Sequence, residues 1–303
     1  MHIVRYRDAG GTPRAGTLVD GRVHALAVAG VSALLRLRLD DLRALLAEPG
    51  PVVAGAPLLA PVDGATEVWA AGVTYLRSRD ARMEESGDGD VYGRVYDAVR
   101  PEIFFKSAAW RVVTDGEPVA VRTDSALNVP EPELALVVNC HGETVGYLVC
   151  NDMSSRSIEG ENPLYLPQAK VYAGACALST GIRPAWEVDA TGLAIAVEVV
   201  RDGATIWADT TSSARLKRSF DDLVGHLFHS ENFPDGAVLS TGTGLAPALD
   251  VTLRPGDAVT ITIEGVGRLT NPVVAGRDRF TFLTTGTNGD ARPPPQGPAV
   301  RPG

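Results

Sequence analysis

Clustered basic residues, long apolar runs and paired cysteines are all scarce in this 303-residue chain. No apolar run approaches the ~18–20 residues of a membrane-crossing helix, and residues 1–18 lack the apolar stretch of a secretion signal. Lys and Arg number 28 against 37 Asp and Glu, a formal net charge of −9. No Lys/Arg cluster offers the basic patch that a nucleic-acid or anionic-membrane surface requires. The three cysteines, Cys140, Cys150 and Cys176, are odd in number and have no Cys-x-x-Cys spacing. They suit reduced, buried small side chains in a cytoplasmic protein better than a disulfide framework or a zinc site. Aromatic residues make up only 6%, but a 45% hydrophobic fraction over this length is enough for a substantial core.

What is present divides the chain into three. Residues 1–62 read as a small N-terminal domain. Asp20-Gly21 between strand-like residues signals a hairpin, and Leu35, Leu39, Leu42, Leu45 and Leu46 recur at helical spacing within 31–46. Glu48-Pro49-Gly50-Pro51 then ends the helix, and Pro57 and Pro61 mark an extended linker. Residues 63–284 read as mostly β, with a hairpin at Asp202-Gly203 and a turn at Pro255-Gly256-Asp257 before the alternating run 259–263. Two helices are predicted there, over 78–86 and over 220–228, the second capped by Ser219. The Pro- and Gly-rich tail, 285–303, is expected to be disordered.

The most informative segment is 131–152. Two strand-like runs flank a short turn, His141 to Thr144, and a four-residue turn would set Glu133 opposite Asp152. Alternation puts Glu131, Glu133 and Asp152 on one face. Both faces of this ribbon are otherwise apolar, so the three carboxylates sit at the mouth of a buried hairpin, and Pro132 fits such an end position. Like charges this close need a proton, a basic residue or a metal. A solvated acidic face and a metal site both remain open here. If a metal, oxygen-only ligands favour a hard cation, Mg²⁺ first, then Mn²⁺ or Ca²⁺. Lys170, eighteen residues past Asp152, reads on its own as a lysine snorkelling to water.

Together, Glu131-x-Glu133, Asn151-Asp152, Lys170, Gly242-Thr243-Gly244 and Leu253-Arg-Pro-Gly-Asp257, followed by Gly265-x-Gly267-x-Leu269-x-Asn271-Pro272-Val273, resemble the fumarylacetoacetate hydrolase family. The resemblance runs in order over about two-thirds of the chain. It implies an α+β, β-rich fold, a mixed β-roll catalytic domain with a small N-terminal domain. It also implies a divalent metal at Glu131, Glu133 and Asp152, a homodimer or homotetramer, and a small 2-keto acid as substrate.

Hydrolases of this family carry a Gly-x-Asn-Tyr-x-x-His segment whose His activates water. Here the matching residues are Gly72-Val73-Thr74-Tyr75-Leu76-Arg77-Ser78, with Ser78 at the His position. This stretch, with Arg100-Pro101-Glu102-Ile103-Phe104-Phe105-Lys106, is similar instead to the family's 2-keto-3-deoxy-D-arabinonate dehydratases. That resemblance implies Glu102 as acid/base, Lys170 as a catalytic charge that also binds substrate, and Arg77, Phe105 and Thr243 as substrate contacts. On their own, Glu102 reads as an exposed strand-start carboxylate, Arg77 as a solvated helix residue, Phe105 as core and Thr243 as a turn residue. Residues 79–95, interrupted by Ser86-Gly87-Asp88-Gly89-Asp90, are expected to form a lid over substrate. The function so implied is metal-dependent dehydration to 2-oxoglutarate semialdehyde. An acylpyruvate- or fumarylacetoacetate-type C–C hydrolase or a 2-oxo acid decarboxylase is the alternative, and a non-catalytic metal-bound scaffold ranks last.

Overall fold

The computed structural model describes residues 1–85 and 89–283. The break within the expected lid, at 86–88, and the 285–303 tail lie outside the described residues. Most of the described strands fall into two sheets. The larger begins at the edge strand Glu102–Ala108 and passes through Glu67–Gly72, Ala237–Ser240, Pro132–Val138, Thr144–Asp152 and Gly181–Pro184. It continues into the N-terminal strands His2–Arg7, Pro13–Val19 and Arg22–Ala25. The smaller sheet joins Ala204–Ser212, Ala194–Arg201, Ala258–Ile263, Gly267–Ala275 and Val119–Val121. Most pairings are antiparallel, with Ala237–Ser240 parallel to Glu67–Gly72 and Gly267–Ala275 parallel to Val119–Val121. This is the expected β-rich α+β architecture.

The central ribbon is buried on both faces, which is why its sequence is apolar at consecutive positions. Leu134, Leu136 and Val138, with Val149, pack on Ile195, Val197, Ile261 and Ile263 of the smaller sheet. Ala135, Val137, Leu148 and Cys150 pack on Ile3, Leu34, Leu35 and Leu42 of the N-terminal unit. That unit extends the large sheet, since Ile3 pairs with Ile182 and Val4 with Gly181. Its hairpin turns at Asp20 and Gly21, with φ of 48° and 74°, as a tight turn of this hand requires.

Two expectations need correction. The single helix over 31–46 is two helices, Val31–Leu34 and Leu39–Leu46. The Leu35 carbonyl accepts from the Cys140 amide (2.9 Å), and the Leu39 amide donates to Glu143 Oε2 (2.9 Å). The 139–143 turn thus takes backbone groups that a continuous helix would pair internally. The hairpin register also differs from the expected one: Glu133 lies opposite Cys150, and the Asp152 amide donates to the Glu131 carbonyl at 3.0 Å. A bulge where Val137 pairs with Gly146 but Val138 with Thr144 shifts the ladder. Below the bulge the slip is an even two residues, so the three carboxylates keep their common face.

The helices Leu76–Glu85 and Gly89–Asp97 follow Glu67–Gly72. As expected, Ser219 caps Phe220–Leu227, its hydroxyl accepting from the Asp222 amide at 3.1 Å. No helix among the described residues is long and apolar enough to cross a membrane.

Candidate active site

Glu131 and Glu133 lie at the start of the Pro132–Val138 strand and Asp152 at the end of Thr144–Asp152, so hairpin pairing alone brings them together. One carboxylate oxygen from each falls within 4.8 Å of the others, and the residues are only 4%, 2% and 0% exposed. A cleft opens over them, walled by Gly72, Val73, Ser78, Glu102 and Phe104 on one side. Glu159, Lys170, Gly242 and Thr243 complete the wall.

Two buried ammonium groups face the carboxylates. Lys170 Nζ donates to Glu131 Oε2 (2.7 Å), Asp152 Oδ2 (3.1 Å) and Ser154 Oγ (2.5 Å). Lys106 Nζ pairs with Asp152 Oδ1. Glu133 Oε2 accepts from Ser240 Oγ (2.5 Å) and the Gly242 amide (2.9 Å). Burial nevertheless pushes Glu133 well above the usual carboxylate range, reinforced by Asp152, Cys150 and Glu131; the Ser240 hydrogen bond opposes this only in part. The three carboxylates of the cluster outnumber the two ammonium groups that face them, so the excess acidic group needs a proton or a cation. Carboxylate oxygens without sulfur or imidazole fit a hard cation such as Mg²⁺.

The cleft wall is shaped around Glu102. A Cβ at Gly72 would stand 2.0 Å from Glu102 Oε2, so the bare glycine makes room for that carboxylate. The next residue, Val73, holds a φ of 51°, a conformation that costs a β-branched residue on the order of 1–3 kcal/mol. Neighbouring Thr74 anchors this turn by donating from Oγ1 to the Thr241 carbonyl at 2.6 Å.

Residues 68–274 match the family described as fumarylacetoacetate (FAA) hydrolase C-terminal. The chain belongs to the fumarylacetoacetate hydrolase family. It is 47% identical over 251 residues to a probable 2-keto-3-deoxyxylonate dehydratase of Haloferax volcanii, covering 81% of this chain and 86% of that one. A 2-dehydro-3-deoxy-D-arabinonate dehydratase of Saccharolobus solfataricus is 40% identical over 218 residues, 70% of this chain and 73% of that one. Among solved structures, a 2-keto-3-deoxy-D-arabinonate dehydratase complexed with magnesium and 2,5-dioxopentanoate superposes with a TM-score of 0.79 at 33% identity, covering 92% of this chain and all of that one.

Within this family fold, Glu102, Glu131, Glu133, Asp152, Lys170 and Thr243 meet at one cleft. Lys170, 2% exposed, does not snorkel to water. Thr243 Oγ1 donates to the Pro132 carbonyl at 3.0 Å, tying its loop to the Glu131–Glu133 segment. Two expected contacts lie elsewhere. Phe105 packs edge-on against Trp69 (centroids 5.8 Å apart), and Phe104 lines the cleft in its place. Alternation from Glu102 would have selected Phe104, two residues on. Arg77 is exposed, with Nη2 3.4 Å from the Ala246 carbonyl, while Ser78 is the cleft residue of that helix. Sequence reading missed Glu159, Ser154 and Lys106. For Lys106 a signal existed, a lysine inside an otherwise apolar strand next to Glu102.

Proposed function

We propose that this protein is a Mg²⁺-dependent dehydratase of a 2-keto-3-deoxy sugar acid of the 2-keto-3-deoxy-D-arabinonate type, releasing water and 2,5-dioxopentanoate (2-oxoglutarate semialdehyde). Its setting is the cytoplasm, and its assembly a homodimer or homotetramer. The observation that carries this reading is the cleft itself. It joins a buried three-carboxylate cluster to Glu102 and Lys170, and it has Ser78 where the family's hydrolases carry their water-activating His. The described residues lining it include no histidine.

Glu131, Glu133 and Asp152 would hold the divalent cation, which when bound supplies a Lewis acid for the substrate's carboxylate and keto oxygens. Glu102 removes a C3 proton, acidified by the adjacent carbonyl. The C4 hydroxyl then departs as water, carrying a proton delivered by Glu102 directly or through water. Loss of a C5 proton and return of a proton to C3, carried by Glu102 or water, move the C3–C4 double bond to C4–C5, and the C5 enol becomes the aldehyde by taking a proton at C4 as its hydroxyl gives one up. Lys170 places a fixed positive charge beside the oxygen on which negative charge develops. Phe104 closes the wall opposite and limits water around the reacting carbons.

The test is product mass with Mg²⁺ present, over 2-keto-3-deoxy sugar acids and acylpyruvates. Loss of 18 mass units, the mass of water, from the sugar acids is expected on the proposed chemistry. Cleavage of acylpyruvates with the sugar acids untouched would overturn the reading.

A further inference from the structure

The more deeply buried of the two ammonium groups at this site belongs to a residue that the proposed chemistry does not use. Lys106 is 1% exposed overall, and its side chain is fully enclosed. Its ammonium group has three oxygen neighbours, one carboxylate and two carbonyls. It pairs with Asp152 Oδ1 and donates to the carbonyls of Met153 (2.9 Å) and Lys170 (2.6 Å). The strand is built to deliver this side chain. Where Val68 pairs with Ser107, Trp69 pairs with Phe105, so Lys106 is the extra residue of a β-bulge. Bulges beside active sites commonly re-aim a side chain in this way.

The three acceptors belong to the two segments that form the site. Asp152 ends the Thr144–Asp152 strand with Met153 next in the chain, and Lys170 ends the helix Leu166–Lys170. Lys106 therefore ties the backbone beneath a carboxylate of the cluster to the backbone beneath Lys170. It also pairs with one oxygen of Asp152, while the other, Oδ2, accepts from Lys170 Nζ, which bonds Glu131 as well. We propose that Lys106 is a positioning residue that fixes Asp152 as a one-oxygen ligand and sets the distance between the metal cluster and Lys170. The inference rests on the metal-dependent reading above. It adds a residue that holds a ligand from behind, an arrangement whose loss typically lowers metal affinity or activity 10- to 100-fold.

The experiment uses the full chain with Lys106→Met, which keeps length and loses charge, and Lys106→Gln, which keeps a donor. Mn²⁺ affinity is read by electron paramagnetic resonance without substrate, folding by circular dichroism, and kcat and KM at saturating metal. Both variants are expected to fold, to bind Mn²⁺ about 10- to 100-fold more weakly, and to lose kcat more than KM even when metal is saturating. Unchanged Mn²⁺ affinity and kcat in either folded variant would overturn the proposal. Failure of both variants to fold would also overturn it, because the lysine would then belong to the core and not to the site. If the wild type itself bound no Mn²⁺, the metal reading beneath it would fall, and the two failures are told apart by that control.

Discussion

At the cleft floor Glu133 accepts two hydrogen bonds, yet burial, with Asp152, Cys150 and Glu131 nearby, holds it well above its ordinary value of 4.5. The native state thus binds this proton more tightly than the unfolded chain does. The resulting stability is fully present below the unfolded pKa and is lost as pH rises through the raised native one. Metal-free protein should therefore show a falling Tm from about pH 5 upward, and Glu133→Gln should flatten that decline. Mg²⁺ favours the ionised form, so the Tm it restores should grow with pH. A metal-free Tm with the same pH slope in wild type and Glu133→Gln would sink this account. Glu102 poses a different question, because its proposed task is proton transfer. Glu102→Gln keeps its volume but cannot take the proton, so kcat should fall on the order of 10²–10⁴-fold with Mn²⁺ binding intact. Gly72→Ala tests the same carboxylate indirectly. The added Cβ would meet Glu102 Oε2 at 2.0 Å, a flexible end that can move aside. Its expected signature is a lowered kcat at nearly unchanged Tm, and an unchanged kcat would show that the position of Glu102 is not critical.

Between residues and the whole, the elements show where sequence is legible and where it is not. Turns announced themselves locally: Asp20-Gly21 and Asp202-Gly203 both adopt positive φ at the two central positions, and the Ser219 cap lies where its spacing set it. Bulges did not. The one at Val137/Val138 moved the hairpin register, and the one at Lys106 redirects a lysine; neither carries a local turn residue that would announce it. The carboxylate cluster was legible despite the slip because an even shift preserves faces. The helix Gly89–Asp97 likewise went unpredicted, since Gly89 and Gly93 dilute its pattern. That helix is held from outside by two consecutive cations. Lys217 Nζ bonds the Tyr96 carbonyl and Asp97 Oδ1 (3.0 Å), and Arg218 donates to the carbonyls of Ala98 (2.5 Å) and Val99 (2.9 Å). Cations at a helix C-terminus stabilise it by about 0.3–1 kcal/mol when exposed. Lys217→Ala with Arg218→Ala should therefore speed amide exchange across 89–99 and leave the central ribbon protected. Equal exchange in variant and wild type would show that the helix needs no such clamp.

For the molecule as a whole, the N-terminal unit is attached through strand pairing and core packing, and its histidines lie away from the cleft. Its histidines are engaged away from the cleft: His24 Nδ1 lies 3.0 Å from the Gly50 carbonyl within the unit, and His2 Nε2 2.8 Å from the Val266 carbonyl outside it. Neither lines the cleft. Yet Leu34, Leu35 and Leu42, each at most 1% exposed, form one core with Ala135, Val137, Leu148 and Cys150 of the ribbon. Those four positions share strand parity with Glu133 and Asp152, so the unit backs the same face that carries the site. Truncating such a leucine removes buried contact and leaves a cavity, a loss of about 2–5 kcal/mol where the surroundings cannot collapse. Leu35→Ala should accordingly lower Tm strongly, while kcat measured well below the new Tm stays within a few-fold of wild type. His24→Ala, which touches neither that core nor the cleft, should leave kcat and Tm nearly unchanged. Paired measurements of Tm and kcat decide the matter. A large loss of kcat at unchanged Tm in His24→Ala would move a catalytic group into residues 1–62. A Leu35→Ala variant that keeps its Tm would mean that the ribbon does not depend on the N-terminal unit for its core.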